Sequence, residues 1–180
     1  MTDATKRTAA ALAAVAALVC AGLAATAPSA GALTLLRCTG STAATYTPAL
    51  TDTPTRTVVA ATTTYSGCLN ALGLSERRTG STSGSSTVPD ASCLDLLVPG
   101  RGQEVVDWST GGSSAYQYTA TANEVDGVFQ RVASGTVVSG EFTGATVVTT
   151  TTIPALDPLA CAGAGVPSAS GLATITIVGL

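Results

Sequence analysis

Between Ala115 and Ala122 the side chains alternate: Tyr116, Tyr118, Ala120 and Ala122 fall on one side, Gln117, Thr119 and Thr121 on the other. A period of two marks an extended strand with one face toward a core; the apolar positions of an amphipathic helix recur every three or four residues instead. Asp126-Gly127 follows, a pair that tolerates the positive φ of a two-residue hairpin turn, and Val128 to Ala133 reads as the returning strand. Leu172 to Val178 repeats the pattern, with Ile175 and Ile177 on one face and Thr174 and Thr176 on the other. Threonine, valine, glycine and serine dominate around these segments while Glu, Lys and Gln are scarce, a composition that prefers strands and turns.

The same reading extends along the chain. Leu33 to Arg37 is a short apolar start, and Tyr46 to Leu50 contains Pro48, which suits an edge strand or an extended connection. Thr57 to Tyr65 is β-branched, with apolar groups on both faces. Asn70 to Arg78 has room for one helical turn, and the Ser/Thr/Gly run Thr79 to Thr87 reads as a flexible loop. Cys93 to Val98, Glu104 to Ser109 and the hairpin of Thr136–Phe142 with Ala145–Ile153 complete the set, and Pro154 to Pro158 interrupts it before Cys161. About eight or nine short antiparallel strands, with turn signals every ~8–12 residues, indicate an all-β sandwich or barrel.

Residues 1 to 32 read as a cleavable secretion signal. Lys6 and Arg7 supply the positive start, Ala9 to Ala25 the apolar run, and Ala30-Gly31-Ala32 the small-x-small cleavage site. An uncleaved anchor and a lipid anchor on Cys20 are the alternatives; Val19, where a small residue is wanted, disfavours the second. The expected product is a single domain of about 148 residues, 33–180, long enough for a proper core. It is expected to be secreted, extracellular and free of the membrane once the signal is removed.

Export changes the meaning of the cysteines. With Cys20 removed, Cys38, Cys68, Cys93 and Cys161 remain, and an even number in an oxidising compartment reads as two disulfides with three possible pairings. Cys38–Cys68 with Cys93–Cys161 is favoured, because each bridge closes a run of consecutive strands. Chain entropy assigns the two loops about 3.6 and about 4.4 kcal/mol. A four-cysteine zinc site lacks paired CxxC spacing.

The remaining chemistry is sparse. The whole chain has no histidine, and its one lysine, Lys6, lies in the signal. Ser-His-Asp and Cys-His catalysis, Ser-Lys dyads, Schiff bases and imidazole metal ligation are therefore excluded. No phosphate-cradling loop is present: Gly163-Ala164-Gly165-Val166 lacks the rest of the dinucleotide pattern. The basic residues left are Arg37, Arg56, Arg77, Arg78, Arg101 and Arg131, outnumbered by acidic ones, which argues against nucleic acid or an anionic membrane as partner. No cofactor or metal is implied, and the chain reads as a non-enzyme.

Four weaker readings attach to particular residues. Glu104 with Asp107, Glu124 with Asp126, and Glu141 are the carboxylates a hydrolase would need, but the plain reading is solvated strand ends and turns. Asn123 to Gly127 has oxygen ligands yet lacks a full calcium loop. Trp108, Tyr116 and Tyr118 would make a stacking platform for a ligand if exposed and core anchors if buried. Arg77 and Arg78, ahead of the Ser/Thr/Gly run, invite a protease-inhibitor reading, against which stands the flexibility expected of that loop.

Several motifs also carry a resemblance: Cys38-Thr39-Gly40-Ser41 before Tyr46-Thr47-Pro48-Ala49-Leu50, then Tyr65-Ser66-Gly67-Cys68, Trp108 before Gly111-Gly112-Ser113-Ser114, and Gly135 through Gly144. Over most of residues 33–180 the chain resembles the small secreted actinobacterial proteins of unassigned function that are described as Ig-like. The resemblance implies export and an Ig-like β-sandwich with no associated catalysis. The expected function is a binding or structural module outside the cell, with an unidentified extracellular or cell-envelope ligand; the alternative is a protease inhibitor acting through Arg77/Arg78, and less so a carboxylate-dependent hydrolase.

Overall fold

The computed structural model describes residues 33–94 and 99–179. The signal reading of residues 1–32 lies outside them, as does most of the Cys93–Val98 strand expectation. In chain order the elements are β1 (Leu33–Leu50), β2 (Thr55–Asn70), β3 (Ser75–Glu76), β4 (Gly80–Ala91), β5 (Gly100–Trp108), β6 (Ser113–Val125), β7 (Val128–Gly140), β8 (Thr146–Pro154), α1 (Pro158–Ala162) and β9 (Val166–Gly179). The protein is all-β and every strand pairing is antiparallel.

All nine strands belong to one sheet in the order β1-β9-β8-β7-β6-β5-β4-β2-β3, and β1 also pairs with β2. That last pairing closes eight strands into a barrel and leaves β3 as an addition on β2. An Ig-like sandwich has two facing sheets with free edges; here the edges that would separate two sheets are mostly hydrogen-bonded to each other. Closure follows from strand length. β1 has 18 residues and β2 has 16, and β1 pairs along most of its length with β2 on one side and β9 on the other.

The strands are accordingly longer than the sequence suggests. Leu33–Arg37 and Tyr46–Leu50 are two ends of β1. Pro48 sits beyond the last β2 partner, Thr47↔Val58, and inside a register shift against β9 between Thr45 and Leu50, so its missing N–H breaks no ladder. Val128–Ala133 and the Thr136–Gly140 part of the expected Thr136–Phe142 strand fuse into β7 through Gly135, which pairs with both Tyr118 and Val147, while Glu141 and Phe142 fall in the turn that follows. The Thr79–Thr87 run is a strand, paired with β2 from Tyr65↔Gly80 to Val58↔Thr87. Its small polar residues have low strand preference, and the long β2 edge beside them overrides it. The helical turn expected in Asn70–Arg78 is instead a tight reversal, with Asn70 Oδ1 accepting from the N–H groups of Leu72 (3.0 Å) and Leu74 (3.1 Å). The Asp126-Gly127 turn forms as expected: φ is 52° and 73°, the type I′ pattern, between paired Val125 and Val128.

Inward-facing side chains make two apolar clusters at opposite ends of the barrel. One gathers Leu36, Tyr65, Val106, Trp108, Tyr116, Val137, Val147, Ile175 and Ile177 around the Cys38–Cys68 disulfide. The other gathers Tyr46, Leu50, Phe129, Ile153 and Val166 around Cys93–Cys161. Both bridges have the pairing favoured from the sequence, and two disulfides suit an oxidising, extracellular setting. Among the described residues, no helix is long and apolar enough to cross a membrane.

Candidate functional site

The barrel wall has a weak seam. Among the described residues, β4 and β5 pair only at Gly80↔Trp108 and Ser81↔Asp107. Beyond those pairs β4 continues along β2 to Ala91, and β5 runs back along β6 to Gly100, so each leaves one edge unpaired toward the other. The alternating burial of β4 is lost past Thr82: Ser83 to Thr87 are all exposed. Among the described residues, the inward positions of this stretch of β4 are therefore left uncovered by β5.

The residues facing that opening differ from those at the barrel ends. Between the two apolar clusters the inward positions carry Thr42, Thr63, Thr82, Glu104, Tyr118, Arg131 and Thr149. Thr63, Glu104, Tyr118 and Arg131 stay partly exposed although their strand faces point inward. Glu104 organises one side. Its Oε1 accepts from the Thr82 hydroxyl at 2.7 Å, across the seam, and its Oε2 accepts from the Tyr116 hydroxyl at 2.5 Å. Burial first, then the Glu104 charge and the hydrogen bond to it, push Tyr116 far above the usual phenol range. Its hydroxyl stays a donor at any ordinary pH.

Arg131 approaches from β7, with its guanidinium 4.9 Å from the Tyr118 ring centroid. The ion pairs among the described residues belong to Arg78, so Arg131 has none. Tyr65 enters from β2, diametrically opposite β7 in the eight-strand ring. It is only 3% exposed. Burial first and then the Glu104 charge raise its pKa, and the Arg131 charge lowers it.

The sequence-based candidates distribute unevenly around this site. Trp108 (3% exposed) and Tyr116 (1%) are core residues, so the three aromatics make no exposed platform. Trp108 Nε1 donates to Ser114 Oγ at 2.8 Å. Tyr118 alone is partly accessible, tilted against Tyr116 with ring centroids 5.9 Å apart. Of the carboxylates, only Glu104 reaches the polar layer. Asp107 lies on the outer face of β5, Glu124 and Asp126 are exposed at the β6–β7 hairpin, and Glu141 pairs with Arg78. The two-carboxylate cleft of a glycosidase is thus not assembled from these five. Asp52, Cys93 and Cys161 cluster as metal ligands would, but the two sulfurs are bonded to each other and offer no thiolate.

Arg78 is not a free loop residue. Its guanidinium carbon lies 5.5 Å from the Trp108 ring and 5.3 Å from the Phe142 ring. Nη1 donates to Glu141, and Nε faces Glu76 at 3.6 Å. The Arg78 hydrogen bond holds the Glu141 carboxyl below the usual carboxylate range. Arg77 beside it is exposed. Sequence reasoning missed Arg131 and Tyr65, because nothing local marks them; only their parity on β7 and β2, once the ring order is known, turns both into the lumen. Comparison with family models, curated proteins and solved structures finds no match.

Proposed function

We propose that this chain is an exported, non-catalytic binding module that takes its ligand at the β4–β5 opening, outside the cell and in contact with an envelope or surface component. The observation that carries the reading is the polar layer itself. An eight-strand barrel core is ordinarily filled by side chains, yet here an arginine, a glutamate and a tyrosine face inward, partly exposed, beside a gap in the wall. A reaction mechanism finds little support at the same place, since Glu104 already accepts hydrogen bonds on both oxygens and no imidazole, amine or thiolate stands beside it. The resemblance to small secreted actinobacterial proteins supports export in the same sense, although the barrel departs from an Ig-like arrangement of two sheets.

Retention of the full chain on isolated wall polymers, on host-surface glycans and on itself tests the reading, with Gly84→Phe as the comparison. A Cβ at Gly84 meets nothing within 4 Å, so an aromatic ring there blocks the opening without disturbing the ladder. Retention lost in the variant, with an unchanged circular dichroism spectrum, is expected. Absence of retention on all three materials, or full retention by Gly84→Phe, overturns the reading.

One observation favours protease inhibition as a second reading. Arg77 is exposed on a short segment held by β3 on one side and by the Arg78 clamp on the other. A braced loop is what tight-binding inhibitors require. Titration against trypsin-like and subtilisin-like proteases decides it: inhibition abolished by Arg77→Ala supports it, and no inhibition at micromolar protein removes it.

A further inference from the structure

Resting on the proposed binding site, we propose that its ligand is a singly charged organic carboxylate, held by Arg131 together with the Tyr65 hydroxyl. Buried polar groups are almost always hydrogen-bonded, so those left without partners report what is missing. Among the described residues the Tyr65 hydroxyl has no hydrogen-bond partner, although the residue is only 3% exposed. It is also not sealed in: the one fully enclosed side-chain nitrogen or oxygen without a hydrogen bond is Arg78 Nε. The Tyr65 hydroxyl therefore keeps a small contact with solvent.

Arg131 adds donors with no acceptor opposite them. Among the described residues it makes no ion pair or side-chain hydrogen bond, and its guanidinium lies over the Tyr118 ring, a contact that does not use its N–H groups. The inward carboxylate, Glu104, already accepts from Thr82 and Tyr116. The layer thus holds a surplus of donors, and its complement is an acceptor.

Charge narrows the class. The planar fork of an arginine matches a carboxylate or a phosphate in two parallel hydrogen bonds. Glu104 makes the pocket carry one negative charge beside the one positive charge. Glu104 and Arg131 already offset each other, so a monoanion leaves one net negative charge and a dianion two, and the monoanion is the less repelled by Glu104. Thr63, partly exposed, donates its hydroxyl to Thr42 Oγ1 at 3.0 Å and can still accept, which suits an acid that also bears hydroxyl groups, such as a uronic acid.

The test is calorimetric titration of the full chain, disulfides intact, with glucuronate, glucose, inorganic phosphate at pH 8 and a short oligogalacturonate. Saturable binding of glucuronate or of the oligomer, with glucose and phosphate at least tenfold weaker, is expected. Binding of the monomer indicates a free acid as ligand, and binding of the oligomer alone indicates an acidic polymer; both support the proposal. Arg131→Gln is expected to weaken binding about 10- to 100-fold, the range of a charge-assisted hydrogen bond, and Tyr65→Phe less. Arg101→Gln, exposed on the outer face of β5, should leave binding unchanged. Should Arg131→Gln fail to fold, Arg131→Lys, which keeps the charge and loses the fork, serves in its place and should fall between wild type and no binding. Equal binding of glucose and glucuronate, preference for phosphate, or no binding of any probe overturns the carboxylate. Glucose binding, or wall retention, abolished by Gly84→Phe would still leave the opening as the binding site.

Discussion

Gly135 shows how closely single residues constrain this barrel. A Cβ at that position would stand 1.8 Å from the backbone oxygen of Gln117 on the neighbouring strand. Backbone cannot yield as a side chain tip does, so Gly135→Ala should separate β6 from β7 and cost about 1–3 kcal/mol, the range for overpacking. Gly84→Ala, with open space around it, should be neutral or slightly stabilising through the unfolded chain; thermal melts of the pair check both. Glu141 gives a prediction in pH. Its carboxyl is held low by the Arg78 hydrogen bond, so its contribution is present above the unfolded-state pKa and is lost as pH falls through the folded one. Denaturation followed from neutral to acid pH should show wild type losing more stability than Glu141→Gln; parallel curves would remove Glu141 as a contributor. At this scale the candidate site was half legible. The absence of histidine and the identity of Glu104 could be read directly. Arg131 and Tyr65 lie on strands far apart in sequence, and both turn inward only because β2 and β7 face each other across a ring.

At the level of elements, β4 is the part held least firmly. From Ser83 to Thr87 it is exposed and paired with β2 alone, while Thr82 still reaches Glu104 across the seam. Local opening is easiest where buried apolar contacts are few. Amide hydrogens of β4 not bonded to β2 should exchange fastest among the central strands, and Thr82→Val should extend that fast exchange toward Gly80. Protection of β4 equal to that of β6 would show the seam to be closed in solution. The β4 case also explains what could be read at this level. β6, the Asp126-Gly127 turn and the Ile175/Ile177 face of β9 were legible because alternation and turn chemistry are local. β4 was not, because glycine and serine carry little strand preference of their own and take their conformation from β2. The fusion of fragments into β1 and β7 has the same origin: a glycine or proline that looks like a stop is tolerated where the ladder is already shifted or made by the residues around it.

Whole-molecule stability depends on how the closed sheet and its two bridges share the task. Cys38–Cys68 ties β1 to β2, the pair that closes the ring, and is fully enclosed. Cys93–Cys161 joins the end of β4 to α1, spanning strands that do not pair with each other. The sequence separations are 30 and 68 residues, which correspond to about 3.6 and about 4.4 kcal/mol of unfolded-state constraint. Together these approach the whole stability of an ordinary domain, about 5–15 kcal/mol. The second bridge should matter more than its entropy alone suggests, because it holds the far end of β4, whose other edge is unpaired over most of its length. Cys93→Ala/Cys161→Ala should therefore lower the urea midpoint more than Cys38→Ala/Cys68→Ala, and should also speed exchange in β4. The first bridge lies beside the β1–β2 ladder, which remains to keep the ring closed when the bridge is gone. Urea melts of the two double variants measure this directly. A larger loss on removing Cys38–Cys68 would mean that ring closure depends on the bridge and not on the ladder, and that the seam between β4 and β5 is not the weakest part of the barrel.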